Sequence, residues 1–202
     1  MTKQDIRAQV RSAIAGMSAD ERARASARIC ATLVGSGEWQ EARTVLLYAA
    51  LPDEVETAPL IGFALAQGKR VLLPRVVGDG LELRFLPDAD KTGPDAPGKG
   101  GAGVLKSGAF GIPEPDADCR LCTDFSTIDL AVIPGRAFTP EGVRLGRGKG
   151  FYDRFLASLT SRSDKARGEG PVTFGLAFPC QVFAELPADP WDISLDCILT
   201  SE

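Results

Sequence analysis

The sequence predicts an α/β fold built as a single domain over residues 1–202, with a largely parallel central sheet flanked by helices. Three observations carry that expectation. Short, continuously apolar runs bounded by polar or turn residues read as buried strands. Segments of helical periodicity alternate with them along the chain. A length of 202 residues, 44% of them hydrophobic, supplies one sizeable core better than two.

Residues 3–16 and 18–35 read as two helices, because Ser18 and Glu21 form a capping-box pair and Ile29 and Leu33 share the face behind it. The run TVLLYAAL (44–51) reads as a buried strand. A helix over 57–67 stops at Gly68, and strands follow at 70–77 and 81–86 with Gly78-Asp79-Gly80 as the turn between them. Residues 87–103, PDADKTGPDAPGKGGAG, are dense in Pro and Gly with almost nothing to bury, so a long mobile loop is expected there. TIDLAVIPG (127–135) is another buried strand. A helix is expected from about 150 to 161, and 161–170 reads as a solvated loop. VTFGLAF (172–178) and ISLDCILT (193–200) close the order as strands. There is no internal repeat.

Composition excludes several classes of function. The net charge of −4 and a sequence pI of about 5.0 give no bulk reason to bind nucleic acid. The start, MTKQDIRAQV, has no apolar signal core, and no run approaches membrane-spanning length, so a soluble, cytoplasmic protein without a membrane partner is expected. Five cysteines, at 30, 119, 122, 180 and 197, are an odd and scattered set that fits reduced thiols. Cys119 and Cys122 form a lone CxxC with no second pair, and a tetrahedral zinc site needs four ligands. Histidine is absent, which removes Ser-His-Asp and Cys-His machinery and every histidine-ligated metal site. Chemistry must come from carboxylates, Lys, Arg, Tyr and backbone amides.

The stretch RLGRGKGFYDRF (144–155) concentrates those groups. Gly146, Gly148 and Gly150 alternate, Arg144, Arg147 and Lys149 add charge, and a helix is expected to begin at once. A strand, a glycine loop and a helix in succession favour phosphate binding through free amides and the helix dipole. The spacing is neither that of a Walker A loop nor that of a dinucleotide fingerprint. A flexible loop with solvated basic residues stays an equal alternative on these grounds. Asp153, just beyond the cations, is either a helix-start carboxylate or, beside bound phosphates, a ligand for Mg²⁺.

The longer segment VIPGRAFTPEGVRLGRGKGFYDRFL (132–156) resembles the signature of the 5-formyltetrahydrofolate cyclo-ligase family: Pro-Gly-x-Ala-Phe, a spacer, then Gly-x-Arg-Leu-Gly-x-Gly-x-Gly-Tyr-Tyr-Asp. Further likenesses run along nearly the whole chain. Lys3 and Arg7 match the family's amino-terminal pair, and DEVET (53–57) matches its Glu-containing motif. GIPEP (111–115) matches a Gly-Ile-x-Glu-Pro element, and Gln181, Asp192 and Asp196 fall where its carboxyl-terminal Gln and aspartates belong. Phe151 stands in place of the family's first Tyr, and the 87–103 and 161–170 stretches are longer than in many relatives.

The resemblance implies a NagB/RpiA/CoA-transferase-like fold and closure of 5-formyltetrahydrofolate to 5,10-methenyltetrahydrofolate with ATP and Mg²⁺, by a monomer. It implies Lys149 and Arg144 as catalytic groups. Lys3, Arg7, Arg144, Leu145, Gly146, Arg147, Gly148, Lys149, Gly150, Phe151 and Tyr152 would bind ATP. Glu54, with Gly148, Lys149, Gly150, Phe151 and Tyr152, would bind the folate, and Asp153 with Asp192 would hold the metal. Read without the resemblance, Glu54 is a solvated or helix-capping carboxylate, Lys3 and Arg7 lie on one solvated helix face, and of Phe151 and Tyr152 one stacks on ligand and one fills core. Glu114, between two prolines, reads as a turn residue. Two other functions remain open: a sugar-phosphate isomerase or CoA-transferase-like enzyme of the same fold, and a non-catalytic regulatory relative that binds folate or nucleotide.

Overall fold

Side-chain caps start the first two helices where the sequence places them. In a computed structural model that describes residues 1–87, 105–107, 113–160, 170–189 and 192–201, Thr2 and Asp5 close a capping box on α1 (Lys3–Gly16), and Ser18 and Glu21 close another on α2 (Ala19–Val34). A five-residue helix, α3 (Gly37–Glu41), follows from the Ser36 cap; it is too short to register as a period in the sequence. Its Trp39 is fully buried, with the indole N–H donating to Gln67 Oε1 at 3.0 Å. Next come β1 (Thr44–Leu46), α4 (Ala58–Ala66), β2 (Arg70–Val77) and β3 (Gly80–Phe85), with Gly68 ending α4 at φ +71°. The chain continues through β4 (Leu105–Ser107), β5 (Pro113–Pro115), β6 (Leu130–Val132), β7 (Ala137–Phe138), β8 (Arg144–Leu145), α5 (Phe151–Thr160), β9 (Val172–Leu176) and β10 (Cys197–Leu199).

Among the described residues six strands form one sheet, in the order β10-β9-β6-β1-β2-β3. Every pairing is parallel except the β2–β3 hairpin at one edge. Alternation along the strands divides the core between the two faces. Val45, Val71, Leu73, Leu130 and Val132 join the cluster that takes the apolar faces of α1, α2 and α4. Leu46, Leu72, Ala131 and Ile133 join the cluster that takes Phe155, Leu156 and Leu159 of α5. The result is the layered α/β arrangement that the sequence predicts.

Several boundaries differ. The strand expected over 44–51 has ladder pairing only to Leu46, with one further bond from Leu47 N–H to Leu72 O at 3.0 Å. The chain then leaves the sheet, and the Tyr48 carbonyl accepts a hydrogen bond from the Thr57 hydroxyl instead. Burial without pairing looks like a strand in sequence. The expected strand at 127–135 likewise shortens to Leu130–Val132 behind a 3₁₀ turn at Phe125–Thr127, and that at 193–200 to Cys197–Leu199. Glu114 lies in strand β5 and not in a turn, paired opposite Lys106. The loop expectations at 87–103 and 161–170 fall outside the described residues, apart from their terminal residues Pro87 and Gly170.

One glycine is fixed by close approach. Gly142 has φ +90°, and a Cβ there would sit 2.0 Å from the Leu195 carbonyl oxygen, in a segment tied by the Leu195 N–H to Gly142 O bond of 2.9 Å. Gly142→Ala is therefore expected to lower unfolding free energy by at least about 2 kcal/mol through a positive φ and a backbone clash. The denaturant midpoint measures it; an unshifted midpoint contradicts the account of this contact.

Candidate active site

The sheet order contains a switch point. From β1 the chain passes through α4 to β2 on one side, and from β6 through α5 to β9 on the other. In α/β sheets ligands bind outside the carboxyl ends of the strands at such a point. A cleft of about 790 Å³ opens there, lined by Tyr48, Asp53 and Glu54 after β1, by Pro134 and Gly135 after β6, and by Arg144 and the glycine loop. Its apolar wall includes Pro74 and Val76 of β2 and Leu81 of β3.

The glycine loop is set by a small ribbon that the sequence reading did not include. Strands β7 and β8 pair antiparallel, and Arg136 N–H donates to Leu145 O at 2.7 Å. The loop thus follows β8 and not the strand at 130–132. Leu145 points its side chain into the core and is 3% exposed, so it does not reach the cleft. Gly148 (φ +101°) and Gly150 (φ +70°) take conformations that side-chain-bearing residues rarely adopt. Gly150 O accepts the first helical bond of α5 from Arg154 N–H at 3.1 Å, which leaves the helix's first amides without partners inside the helix.

Charges converge on the cleft in alternating order. Arg144, with its side chain only 3% exposed, donates through Nη1 to Pro134 O at 3.1 Å and pairs through Nη2 with Asp153. Burial pushes its guanidinium down, against the charge of Asp153. Arg147 donates Nε and Nη2 to Glu54 Oε1 at 3.0 and 2.8 Å, and Nη2 also to Asp53 Oδ1 at 2.5 Å. Burial opposes the charged form of Arg147 as well, but the Glu54 charge and the Asp53 hydrogen bond outweigh it and raise its pKa. Glu54 is itself anchored, because its Oε2 accepts from Leu51 N–H at 3.0 Å. Lys149 is exposed and lines the same cleft. Tyr152 lines it too; burial, with the nearby Glu54 charge, pushes its phenol well up, so it stays a neutral hydrogen-bond donor.

The residues singled out in the sequence thus divide. Glu54, Arg144, Gly146, Arg147, Lys149, Gly150, Phe151, Tyr152 and Asp153 line one cleft, whereas Lys3, Arg7, Leu145, Gly148 and Asp192 do not. Arg7 instead donates Nε to Gly146 O at 2.8 Å, tying α1 to the loop. Lys3 bonds Asp189 at 2.7 Å and Asp192 at 3.0 Å. The bond to Asp189 leads in raising its pKa. Phe151 and Tyr152 both line the cleft, and Tyr152 also packs on the α5 core, edge-on to Phe155. Glu114 is buried in the cleft wall, accepting from Val76 N–H at 3.3 Å. Gln181 and Asp196 act in the framework: Gln181 Nε2 donates to Gly135 O at 3.2 Å and Arg136 O at 3.1 Å, and Asp196 Oδ2 accepts from Thr173 N–H at 2.8 Å.

Of the two carboxylates expected to hold the metal, one lines the cleft and the other is engaged by Lys3. Asp153 lines the cleft against Arg144, while Asp192 accepts from Lys3 and from Asp189 N–H at 2.8 Å, and among the described residues no three His, Cys, Asp or Glu side chains gather as a metal cluster. Two residues were missed in sequence, Asp53 and Arg136. Asp53 was hidden beside Glu54. Arg136 carried a usable signal, a single charge inside the otherwise apolar run VIPGRAF, which demands a buried partner.

Comparisons with known proteins agree over the length of the chain. The family model of the 5-formyltetrahydrofolate cyclo-ligase family matches residues 1–201. A Haemophilus influenzae 5-formyltetrahydrofolate cyclo-ligase is 30% identical, covering 98% of this chain and 96% of its own. The mouse protein of the same name is 27% identical over 98% of this chain and 92% of its own. The solved structure of Aquifex aeolicus 5,10-methenyltetrahydrofolate synthetase superposes with a TM-score of 0.79 at 32% identity, covering 100% of this chain and 91% of that one.

Proposed function

The chain belongs to the 5-formyltetrahydrofolate cyclo-ligase family, and from that premise we propose that it converts 5-formyltetrahydrofolate and ATP to 5,10-methenyltetrahydrofolate, ADP and phosphate. The observation that carries this reading is the convergence of Arg144, Arg147 and Lys149 with Glu54 on one cleft at the sheet's switch point. A formamide oxygen is a poor leaving group. Transfer of the γ-phosphoryl group to that oxygen makes it one. The amine at position 10 then attacks the formyl carbon, phosphate departs with the oxygen, and the amine's proton is lost. Phosphoryl transfer rests on positioning and charge neutralisation, which a chain without histidine can supply.

In this reading Lys149 and Arg144 stabilise the transferring phosphoryl group, and the amides at the start of α5 hold the remaining phosphates. Glu54 accepts hydrogen bonds from pterin or amine N–H groups, with Tyr152 as a neutral donor and the ring of Phe151 beside it. Lys3 and Arg7 support the nucleotide side through Asp192 and the Gly146 carbonyl. A Mg²⁺ ion draws one or two carboxylates and takes its other ligands from phosphate and water. Asp153 fits as that carboxylate, with Asp192 able to join on release from Lys3. Bound there, the ion would offset phosphate charge. The test is the absorbance of methenyltetrahydrofolate appearing with ATP and Mg²⁺ together and with each withheld. Product without ATP contradicts the proposal.

Asp153→Asn keeps the shape and loses the charge. It is expected to raise the Mg²⁺ concentration for half-maximal rate several-fold, and an unchanged magnesium titration would mean that Asp153 serves only Arg144.

A further inference from the structure

Behind Arg147 lies a chain of opposite charges that none of the roles above uses. Arg136, on the ribbon immediately after Gly135, is 6% exposed and donates Nη2 to Asp53 Oδ2 at 2.6 Å. Asp53 Oδ1 in turn accepts from Arg147 Nη2 at 2.5 Å. The Arg136 backbone is fixed from two sides, its N–H donating to Leu145 O and its carbonyl accepting from the buried Gln181, and its buried guanidinium meets Asp53. Arg147 is fixed from one side only. Among the described residues its side chain bonds to Asp53 and Glu54 and to nothing else.

We propose that Asp53, held by the buried Arg136, is a positioning residue that sets the Arg147 guanidinium for the phosphates of a nucleoside triphosphate. The proposal rests on Arg147 binding nucleotide, as the family resemblance implies. A buried arginine whose backbone is tied twice is a firm anchor, and a carboxylate bridging it to a half-exposed arginine links the loop to that anchor. Glu54 cannot serve instead, because its own task is on the folate side. Its Leu51 N–H anchor keeps it in place whether or not Asp53 is present. The consequence is selective: loss of Asp53 cuts Arg147 off from Arg136 and leaves it on its Glu54 bonds alone, while Glu54 stays held. Burial alone would push the Asp53 carboxyl up, yet the bonds from Arg147 and Arg136 hold it below its ordinary range, so the bridge is charged at neutral pH.

The experiment measures KM for ATP and for 5-formyltetrahydrofolate, with thermal midpoints, in Asp53→Asn, Asp53→Glu, Arg147→Met and the paired variant Asp53→Asn/Arg136→Met. The pair is included because Asp53→Asn alone leaves the buried Arg136 charge unmatched. Expected in the pair are an ATP KM raised about tenfold, a folate KM within about twofold of wild type and a near-normal midpoint. Asp53→Glu restores most of the ATP KM. Adding the pair to Arg147→Met changes nothing further, since residues acting through one another are not additive. The proposal is overturned if the pair leaves ATP KM unchanged, if both KM values rise together, or if the losses track a lowered midpoint. It is also overturned if the pair and Arg147→Met multiply. An Arg147→Met enzyme with a normal ATP KM overturns the nucleotide role of Arg147 itself, and the positioning role with it.

Discussion

Lys149→Ala is expected to cut the rate of ring closure by about a thousandfold while moving Tm by no more than about 2 °C. The two halves of that result have separate origins. Lys149 is exposed, so truncating its stem removes little packing, and surface substitutions of this kind change stability by about 0.5 kcal/mol or less. Lys149 nonetheless lines the cleft, between Gly148 and Gly150 in the chain, whose positive φ angles shape the loop beside α5. In the proposed mechanism a point charge there acts on the transferring phosphoryl group in a site from which substrate excludes water, where removal of one stabilising donor costs about 3–4 kcal/mol. Arg144 cannot compensate, because Pro134 O and Asp153 hold its guanidinium in place. The rate of product formation and the melting curve, taken on one preparation, decide the matter. Near-normal turnover removes Lys149 from the catalytic set, and a protein unfolded at assay temperature assigns it to structure.

The second large effect is selective. Glu54→Gln is expected to weaken 5-formyltetrahydrofolate binding by about ten- to a hundredfold, the worth of a charge-assisted hydrogen bond at a partly buried site, about 1.5–3 kcal/mol. Nucleotide affinity should change by less than about threefold. Glutamine keeps an oxygen for Leu51 N–H or for Arg147, so the loop is not released, and Asp53 still holds Arg147. If Glu54 served only its present partners, the substitution would lower stability and affect the two ligands alike. Separate titrations with 5-formyltetrahydrofolate and a non-hydrolysable ATP analogue tell the two apart, and wild-type affinity for both removes Glu54 from the site.

What could be read from the sequence followed the range of the interactions. Caps are local, so Ser18 with Glu21 located α2, and Gly68 closed α4, to within a residue. The β2–β3 hairpin was equally legible, because Gly78-Asp79-Gly80 dictates its own turn. Strand ends were not. Tyr48 is as buried as Leu46, and only the neighbouring β2 strand decides which of them is paired. The β7–β8 ribbon, two residues a side, carries no period at all, yet it turns Arg144 toward the cleft and Leu145 into the core. The glycine loop and its cations stood out by spacing and residue type, while their chemistry was implied only by the family resemblance. The Arg136–Asp53–Arg147 chain was not legible, since its members are up to 94 positions apart and only the fold joins them.

The central claim is that the formyl oxygen is phosphorylated before the ring closes. Supplying 5-formyltetrahydrofolate labelled with ¹⁸O in the formyl group, in unlabelled water with ATP, tests it by mass analysis of the phosphate released. The account predicts one ¹⁸O atom in each phosphate formed, in step with methenyltetrahydrofolate. Label recovered in water, with unlabelled phosphate, would contradict it.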